Sequence, residues 1–172
     1  MHNLILRELN EHDEAAFLVG LREYNDMELS WYTFVWKPGV SWLDHIECLR
    51  KGKLGIDLPA DRVPDSLYYG FLNGAIIGRL SLRHELNEFL RTRGGHIGYS
   101  VAPKFRGFGF AQEMLKQVLP KAKALGMSEI LITCDDDNTA SWKVIEACGG
   151  VLESRQRDMR DGKLFRRYWL QT

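Results

Sequence analysis

Apolar and polar positions follow one another along this chain in short blocks, and their spacing predicts both strands and helices. The run from Leu4 to Leu9 has the character of a strand, and helical apolar spacing then extends to Tyr24. Two further strand-like runs flank Asn73-Gly74, a pair typical of a type I′ turn because both of its central residues need positive φ. These runs predict an antiparallel hairpin over 66–72 and 75–83.

Strand and helix patterns alternate in the second half of the chain. The pattern predicts a strand over 96–101, a helix over 109–125, a strand over 130–133, a helix over 138–148, and a closing hairpin of 151–157 with 164–170. Residues 52–65 read as a loop, and 84–93 read as a polar connection. The order of elements predicts an α/β protein without internal repeats.

Composition narrows the range of functions. The 172 residues carry 23 Lys plus Arg and 23 Asp plus Glu, so there is no net charge to attract nucleic acid or an anionic membrane. Arg7 and Glu8 stand where a signal peptide would be apolar, and three cysteines without a C-x-x-C pair fit reduced thiols. We therefore expect a cytoplasmic protein of one domain, with no nucleic-acid or membrane partner.

A glycine-rich turn between the predicted strand ending at Val101 and the helix that follows is the most informative motif. Gly107 and Gly109 allow the backbone to approach a ligand, the helix N-terminus favours an anion, and Arg106 adds a cation. A plain tight turn is the alternative. A dinucleotide fingerprint fits poorly because Gln112 stands at its third glycine position, which leaves a nicotinamide-dependent oxidoreductase as a weak candidate.

Arg106-x-x-Gly109-x-Ala111 resembles the Q/R-x-x-G-x-G/A motif of the GCN5-related N-acetyltransferase (GNAT) superfamily. The motif stands between the fourth strand and the third helix, as in that family, and the resemblance extends from about residue 66 to the C-terminus. Blocks at 82–87, 95–99 and 132–135 also resemble a poorly characterised branch of predicted acetyltransferases, which indicates no substrate.

The resemblance implies a fold and a division of the chain. The expected fold has a mixed, mostly antiparallel central sheet flanked by helices, with a C-terminal hairpin. A single N-acetyltransferase domain would cover 1–172, with a helical and aromatic acceptor-side region at 1–65 and an acetyl-CoA-binding core at 66–172.

The resemblance also implies a coenzyme site. Around Tyr99, Ser100 and Val101 the fourth strand would pair with pantetheine, and the Val101 amide would polarise the thioester carbonyl. Backbone amides would bind the pyrophosphate of acetyl-CoA at Arg106, Gly107, Phe108, Gly109, Phe110 and Ala111. Asn138 matches a polar residue near the pantetheine arm, although a plain helix cap explains it equally well.

Proton transfer needs further groups, because an ammonium must lose a proton before it can attack. His84 and Glu85 are the favoured candidates for the base, ahead of His96 and Asp135, and each has an ordinary structural alternative. The family's tyrosine acid falls on Ile145 here, which leaves Ser141 as a possible hydrogen-bond donor to the leaving thiolate.

The resulting hypothesis is direct transfer of an acetyl group from acetyl-CoA to an amine of a small molecule, peptide or protein. No metal is expected, because Ala140 stands where a calcium-binding loop beginning at Asp135 needs glycine. The aromatic residues from Trp31 to Trp42 would line the acceptor pocket, fill a core or form a homodimer contact. A coenzyme-A-binding sensor or regulatory module without turnover is the alternative function, since Ile145 replaces the family's acid.

Overall fold

A computed structural model describes residues 3–24 and 28–172. The elements in chain order are β1 (Leu4–Arg7), α1 (Glu14–Leu21), α2 (Leu29–Thr33), α3 (Trp42–Leu54), β2 (Asp65–Leu72), β3 (Ala75–Arg83), α4 (Glu88–Thr92), β4 (Ile97–Val101), α5 (Phe110–Ala124), β5 (Glu129–Asp135), α6 (Thr139–Ala147), β6 (Val151–Arg157) and β7 (Leu164–Gln171). A short 3-10 turn, Pro103–Phe105, lies between β4 and α5.

The strands form two antiparallel sheets, one in the order β1-β2-β3-β4 and one in the order β5-β7-β6. The two sheets meet where Gly95 bridges Ile132, and the His96 N–H donates to the Leu131 carbonyl at 2.7 Å. Beyond this junction β4 and β5 separate. The mostly antiparallel sheet flanked by helices agrees with the expected fold class, and it is divided by a gap between its fourth and fifth strands.

The hairpin of β2 and β3 forms as the local sequence predicts. Asn73 and Gly74 have φ values of 50° and 82°, the left-handed pair that a type I′ turn requires. The turn sets Leu72 opposite Ala75 and so determines the register of both strands. This local chemistry confirms the hairpin expected at 66–72 and 75–83.

Two hydrophobic clusters cover the opposite faces of the first sheet. On one face, α5 buries Met114 and Val118 completely against a cluster that includes Leu80 of β3. On the other face, the side chains of Phe17 and Tyr32 pack with Tyr69 of β2, and their rings lie 5.0 to 5.9 Å apart. Successive strand residues point to opposite faces, so β2 is buried on both sides; it is apolar from Leu67 onward, and Asp65 and Ser66 at its start are buried polar residues.

Two short helices depart from the sequence-based expectation. α4 lies inside the segment expected to be a polar connection, and the Asn87 side chain caps it by accepting from the Leu90 N–H at 2.9 Å. α2 lies in the aromatic stretch, where Tyr32 is fully buried and Trp31 is half exposed. Helices of five residues show no readable period, so a single cap and tertiary contacts decide them.

No helix within residues 3–24 and 28–172 is long and apolar enough to cross a membrane.

Gly95→Ala tests the junction between the sheets. Gly95 has a φ of 62°, and a Cβ there would overlap the Leu131 carbonyl, so we expect the free energy of unfolding to fall by about 2–4 kcal/mol. Gly162→Ala is the control, because Gly162 has a similar φ of 73° with open space around it and should lose only about 1–2 kcal/mol. Urea unfolding measures both; equal losses would contradict the close approach at Gly95.

Candidate active site

The backbone of β4 presents hydrogen-bonding groups to the gap between the sheets. In an antiparallel pair, every second residue directs its N–H and C=O groups to the partner strand. The Arg83 N–H donates to the His96 carbonyl, and the Ala102 N–H donates to the Ile77 carbonyl, so the even-numbered positions of β4 bond to β3. The N–H groups of Tyr99 and Val101 therefore point away from β3 and into the gap.

Side chains of β4 point to the two faces of the sheet in turn. The Tyr99 hydroxyl lies 2.9 Å from Ser141 Oγ and donates to the Ser141 carbonyl at 3.2 Å, so it joins β4 to α6. The Ser100 hydroxyl lies on the opposite face, 3.4 Å from the hydroxyl of Tyr24. Burial raises the pKa of the Tyr99 hydroxyl, which keeps it protonated. The bridge from Tyr99 to Ser141 was not foreseen, because it joins residues 42 positions apart.

The glycine turn has the open geometry that an anion site requires. Gly107 and Gly109 have φ values of 83° and 80°, and no described atom lies within 4 Å of where their Cβ atoms would be. Gly109 occupies the N-cap of α5, and no side chain among the described residues caps that helix. The amides of the first turn are thus left without intrahelical acceptors at the positive end of the helix dipole.

The Arg106 side chain connects this turn to neighbouring parts of the protein. Its Nε donates to the Val101 carbonyl at 2.9 Å, and its Nη2 forms an ion pair with Glu28 at 2.7 Å. The guanidinium, expected to add a cation beside the turn, therefore has two partners within the protein. Its contacts instead tie the glycine turn to the end of β4 and to the residue preceding α2.

The start of α6 lies across the gap from β4. Asn138 Oδ1 accepts from the Ser141 N–H at 3.1 Å, so Asn138 caps α6. A helix cap was one of the two roles that the sequence suggested for this residue. Ile145 is completely buried in the core and offers no polar group. Ser141 stands one turn before it, and its hydroxyl contacts Tyr99.

His84 and Glu85, the favoured base candidates, are not brought to the gap. His84 Nε2 lies 2.9 Å from the Ser66 hydroxyl, burial lowers the pKa of His84, and Glu85 is exposed. Both residues follow the end of β3, and this end lies next to the start of β4. The glycine turn follows the opposite end of β4. The five residues of β4 span about 17 Å, so the two regions are well separated.

His96 and Asp135 also have structural partners. His96 Nδ1 accepts from the Leu131 N–H at 2.9 Å, and burial lowers the pKa of this histidine. Asp135 pairs with Arg93 at the end of β5. Within the described ranges, no group of three or more His, Cys, Asp or Glu residues is arranged to hold a metal ion.

The comparisons with known proteins agree with this geometry. A model of the GNAT acetyltransferase domain matches residues 3–151. The chain belongs to the GNAT acetyltransferase family. The protein is therefore an N-acetyltransferase with the fold that its glycine motif indicated.

Several solved GNAT structures share this fold. A ribosomal-protein-S5-alanine acetyltransferase from Vibrio fischeri is 16% identical, with a TM-score of 0.69 and coverage of 99% of this chain and 94% of that one. A ribosomal L7/L12 alpha-N-protein acetyltransferase in complex with coenzyme A is 20% identical, with a TM-score of 0.65 and coverage of 98% and 93%. The protein yncA from Salmonella typhimurium, with acetyl-CoA, is 15% identical, with a TM-score of 0.62 and coverage of 98% and 93%. No curated protein matches the chain.

The histidine at the junction predicts a pH-dependent stability. Because the fold lowers the pKa of His96, the unfolded chain takes up its proton first as the pH falls below about 6.5, and protonation breaks the bond from Leu131. We expect the free energy of unfolding to decrease from pH 7.5 to pH 5.5, and to decrease less in His96→Asn. Urea unfolding at both pH values measures this, and exposed His12→Asn is the control; an unchanged slope in His96→Asn would contradict the assignment.

Proposed function

We propose that this GNAT enzyme binds acetyl-CoA between its two sheets and transfers the acetyl group directly to an amine. The observation that carries the proposal is the open glycine turn at Gly107 and Gly109, which leads into the uncapped end of α5 beside the free edge of β4. In this arrangement the amides from Gly107 to Ala111 hold the pyrophosphate, whereas the Arg106 N–H, expected to join them, donates to the Pro103 carbonyl at 3.2 Å. The helix dipole favours the negative charge of the pyrophosphate.

Pantetheine runs along the edge of β4 in this proposal. The N–H groups of Tyr99 and Val101 face the gap and supply the backbone hydrogen bonds that an extended amide chain requires. The thioester then lies near Val101, where its N–H donates to the carbonyl oxygen. A donor fixed by the sheet stabilises the negative charge that develops on this oxygen in the tetrahedral transition state.

The chemical step is attack by the neutral amine on the thioester carbon. A C–N bond forms, the C–S bond breaks, the amine loses a proton, and the thiolate of coenzyme A accepts one. Ser141 is the proposed donor to the thiolate, because its hydroxyl lies at the start of α6, 2.9 Å from the Tyr99 hydroxyl. In this step the Tyr99 hydroxyl donates to Ser141 Oγ, which leaves the serine hydrogen for the thiolate. His84 and Glu85 remain predictions for the base, without support from their positions.

The structural relatives include acetyltransferases of ribosomal proteins. The proposed acceptor is an amine of a small molecule, a peptide or a protein. The alternative, a coenzyme-binding module without turnover, is favoured by the buried Ile145 at the family's acid position. Thiol release with an amine distinguishes the two functions.

Gly109→Glu tests the coenzyme site. At 100 times its dissociation constant, acetyl-CoA should stabilise the wild-type protein by about 2.7 kcal/mol, or about 5–10 °C in the midpoint of thermal unfolding. The variant places negative charge and bulk at the proposed pyrophosphate site, so we expect this shift to disappear.

Gly126→Glu provides the matched control for this experiment. Gly126 follows the opposite end of α5 and has a φ of 84° with open space around it, so the backbone strain of the substitution is the same. Its response to acetyl-CoA should equal that of the wild type. A full shift in folded Gly109→Glu would overturn the site, and no shift in the wild type would overturn coenzyme binding itself.

Ser141→Ala tests the proposed proton donor. We expect kcat for thiol release to fall about 10- to 100-fold with little change in coenzyme affinity, because a thiolate with a pKa near 8.5 needs only modest assistance. Tyr99→Phe should cause a smaller loss by releasing the Ser141 hydroxyl. Exposed Ser154→Ala is the control, and an unchanged kcat in Ser141→Ala would exclude the serine as donor.

A further inference from the structure

Arg79 of β3 is a buried cation that forms no hydrogen bond with the described residues. Its exposure is 3%, and its Nε and Nη1 atoms are buried with no acceptor within reach in the described structure. Its guanidinium lies over the Phe34 ring, with Cζ 4.8 Å from the ring centre. A buried charge without a counter-ion is strongly unfavourable, so a residue of this kind needs an explanation.

Neighbouring charges do not supply that explanation. Asp65 is the carboxylate whose field acts on both Arg79 and Arg83, and it already forms an ion pair with Arg62 at 2.8 Å. The Arg83 guanidinium donates to the carbonyls of residues 94 and 95 at 3.2 and 3.0 Å. Asp65 is thus already engaged, and among the described residues it leaves Arg79 without a carboxylate of its own.

The position of Arg79 connects this charge with the reaction. Arg79 is the cross-strand neighbour of Ser100 on β4, and paired residues of this type lie about 5.5 Å apart at Cα with their side chains on the same face. Ser100 precedes Val101, whose N–H is the proposed donor to the thioester. Arg79 therefore lies one strand away from the proposed reaction point, on the face opposite Tyr99.

A cavity borders the aromatic ring that contacts the Arg79 guanidinium. Phe34, which stacks on both Arg79 and Arg62, also lines a cavity of about 460 Å³. Its φ of 56° is a left-handed conformation that is unusual for a non-glycine residue. One aromatic ring thus separates the unpaired cation from a cavity that Asp65 and Leu67 of β2 also line.

We propose that Arg79 binds a carboxylate of the acceptor, so that the substrate is an amine that also carries a carboxylate. The inference rests on the proposed function, because it takes this face as the one from which the amine approaches. A planar guanidinium offers a carboxylate two parallel hydrogen bonds, which makes the contact selective as well as strong. The carboxylate could come from a small amino acid or from an acidic residue of a peptide.

The first experiment measures anion binding without coenzyme. Thermal unfolding of the full chain is followed with propionate and with uncharged propionamide. We expect propionate alone to raise the midpoint of unfolding, an effect lost in Arg79→Met and partly retained in Arg79→Lys. Without ligand, Arg79→Met should unfold at a higher temperature than the wild type, because it removes an unpaired buried charge.

The second experiment measures acetylation. Thiol release from acetyl-CoA is compared for alanine against alaninamide and for the dipeptide amide Asp-Ala against Asn-Ala. We expect the carboxylate member of at least one pair to have a kcat/KM at least about 10-fold higher, and this ratio to fall to about one in Arg79→Met. The pair that shows the preference identifies the small-molecule or the peptide source.

Arg50→Met is the matched control, because Arg50 is an exposed arginine paired with Glu47 on α3. It should keep both the propionate response and the substrate ratio of the wild type. Equal responses of wild type and Arg79→Met to propionate, or equal rates for charged and neutral amines, would overturn the role of Arg79. Loss of acetyl-CoA binding would instead contradict the proposed function, and the propionate measurement would still decide the anion site.

Discussion

The close approach of Gly95 to Leu131 is the constraint on which the site depends. The two sheets share a bridge at this point, and the His96 side chain accepts the neighbouring Leu131 N–H. A side chain at position 95 would collide with the partner backbone, so the strands can come this near only at a glycine. Beyond the bridge they separate, and the edge of β4 keeps backbone groups that no strand satisfies.

Where the two sheets separate, the two faces of β4 contact different parts of the protein. On one face Tyr99 reaches Ser141 at the start of α6, next to the glycine turn that begins α5. On the other face Ser100 lies beside Tyr24 and across from Arg79. In the proposed reaction, coenzyme and acceptor meet from opposite sides at Val101. One strand can contact both molecules because its successive side chains point to opposite faces of the sheet.

Local signals in the sequence predict much of this architecture. The Asn73-Gly74 turn, the helical period of α5 and the glycine motif before it each depend on residues close together in the chain. The short helices α2 and α4 were missed, because five residues are too few to show a period. The ion pair of Arg106 with Glu28 was not foreseen, because the two residues lie 78 positions apart.

The sequence by itself determined the order of the strands and of helices α1, α5 and α6, the family and the place of the glycine turn, since these follow from turn chemistry, periodicity and a short motif. Only the tertiary structure decided which side chains meet at the gap. It separated His84 and Glu85 from the glycine turn, joined Tyr99 to Ser141 and left the Arg79 guanidinium buried without a hydrogen bond. Strand register and the packing of helices on each face create these relations, and neither is encoded within a local stretch of sequence.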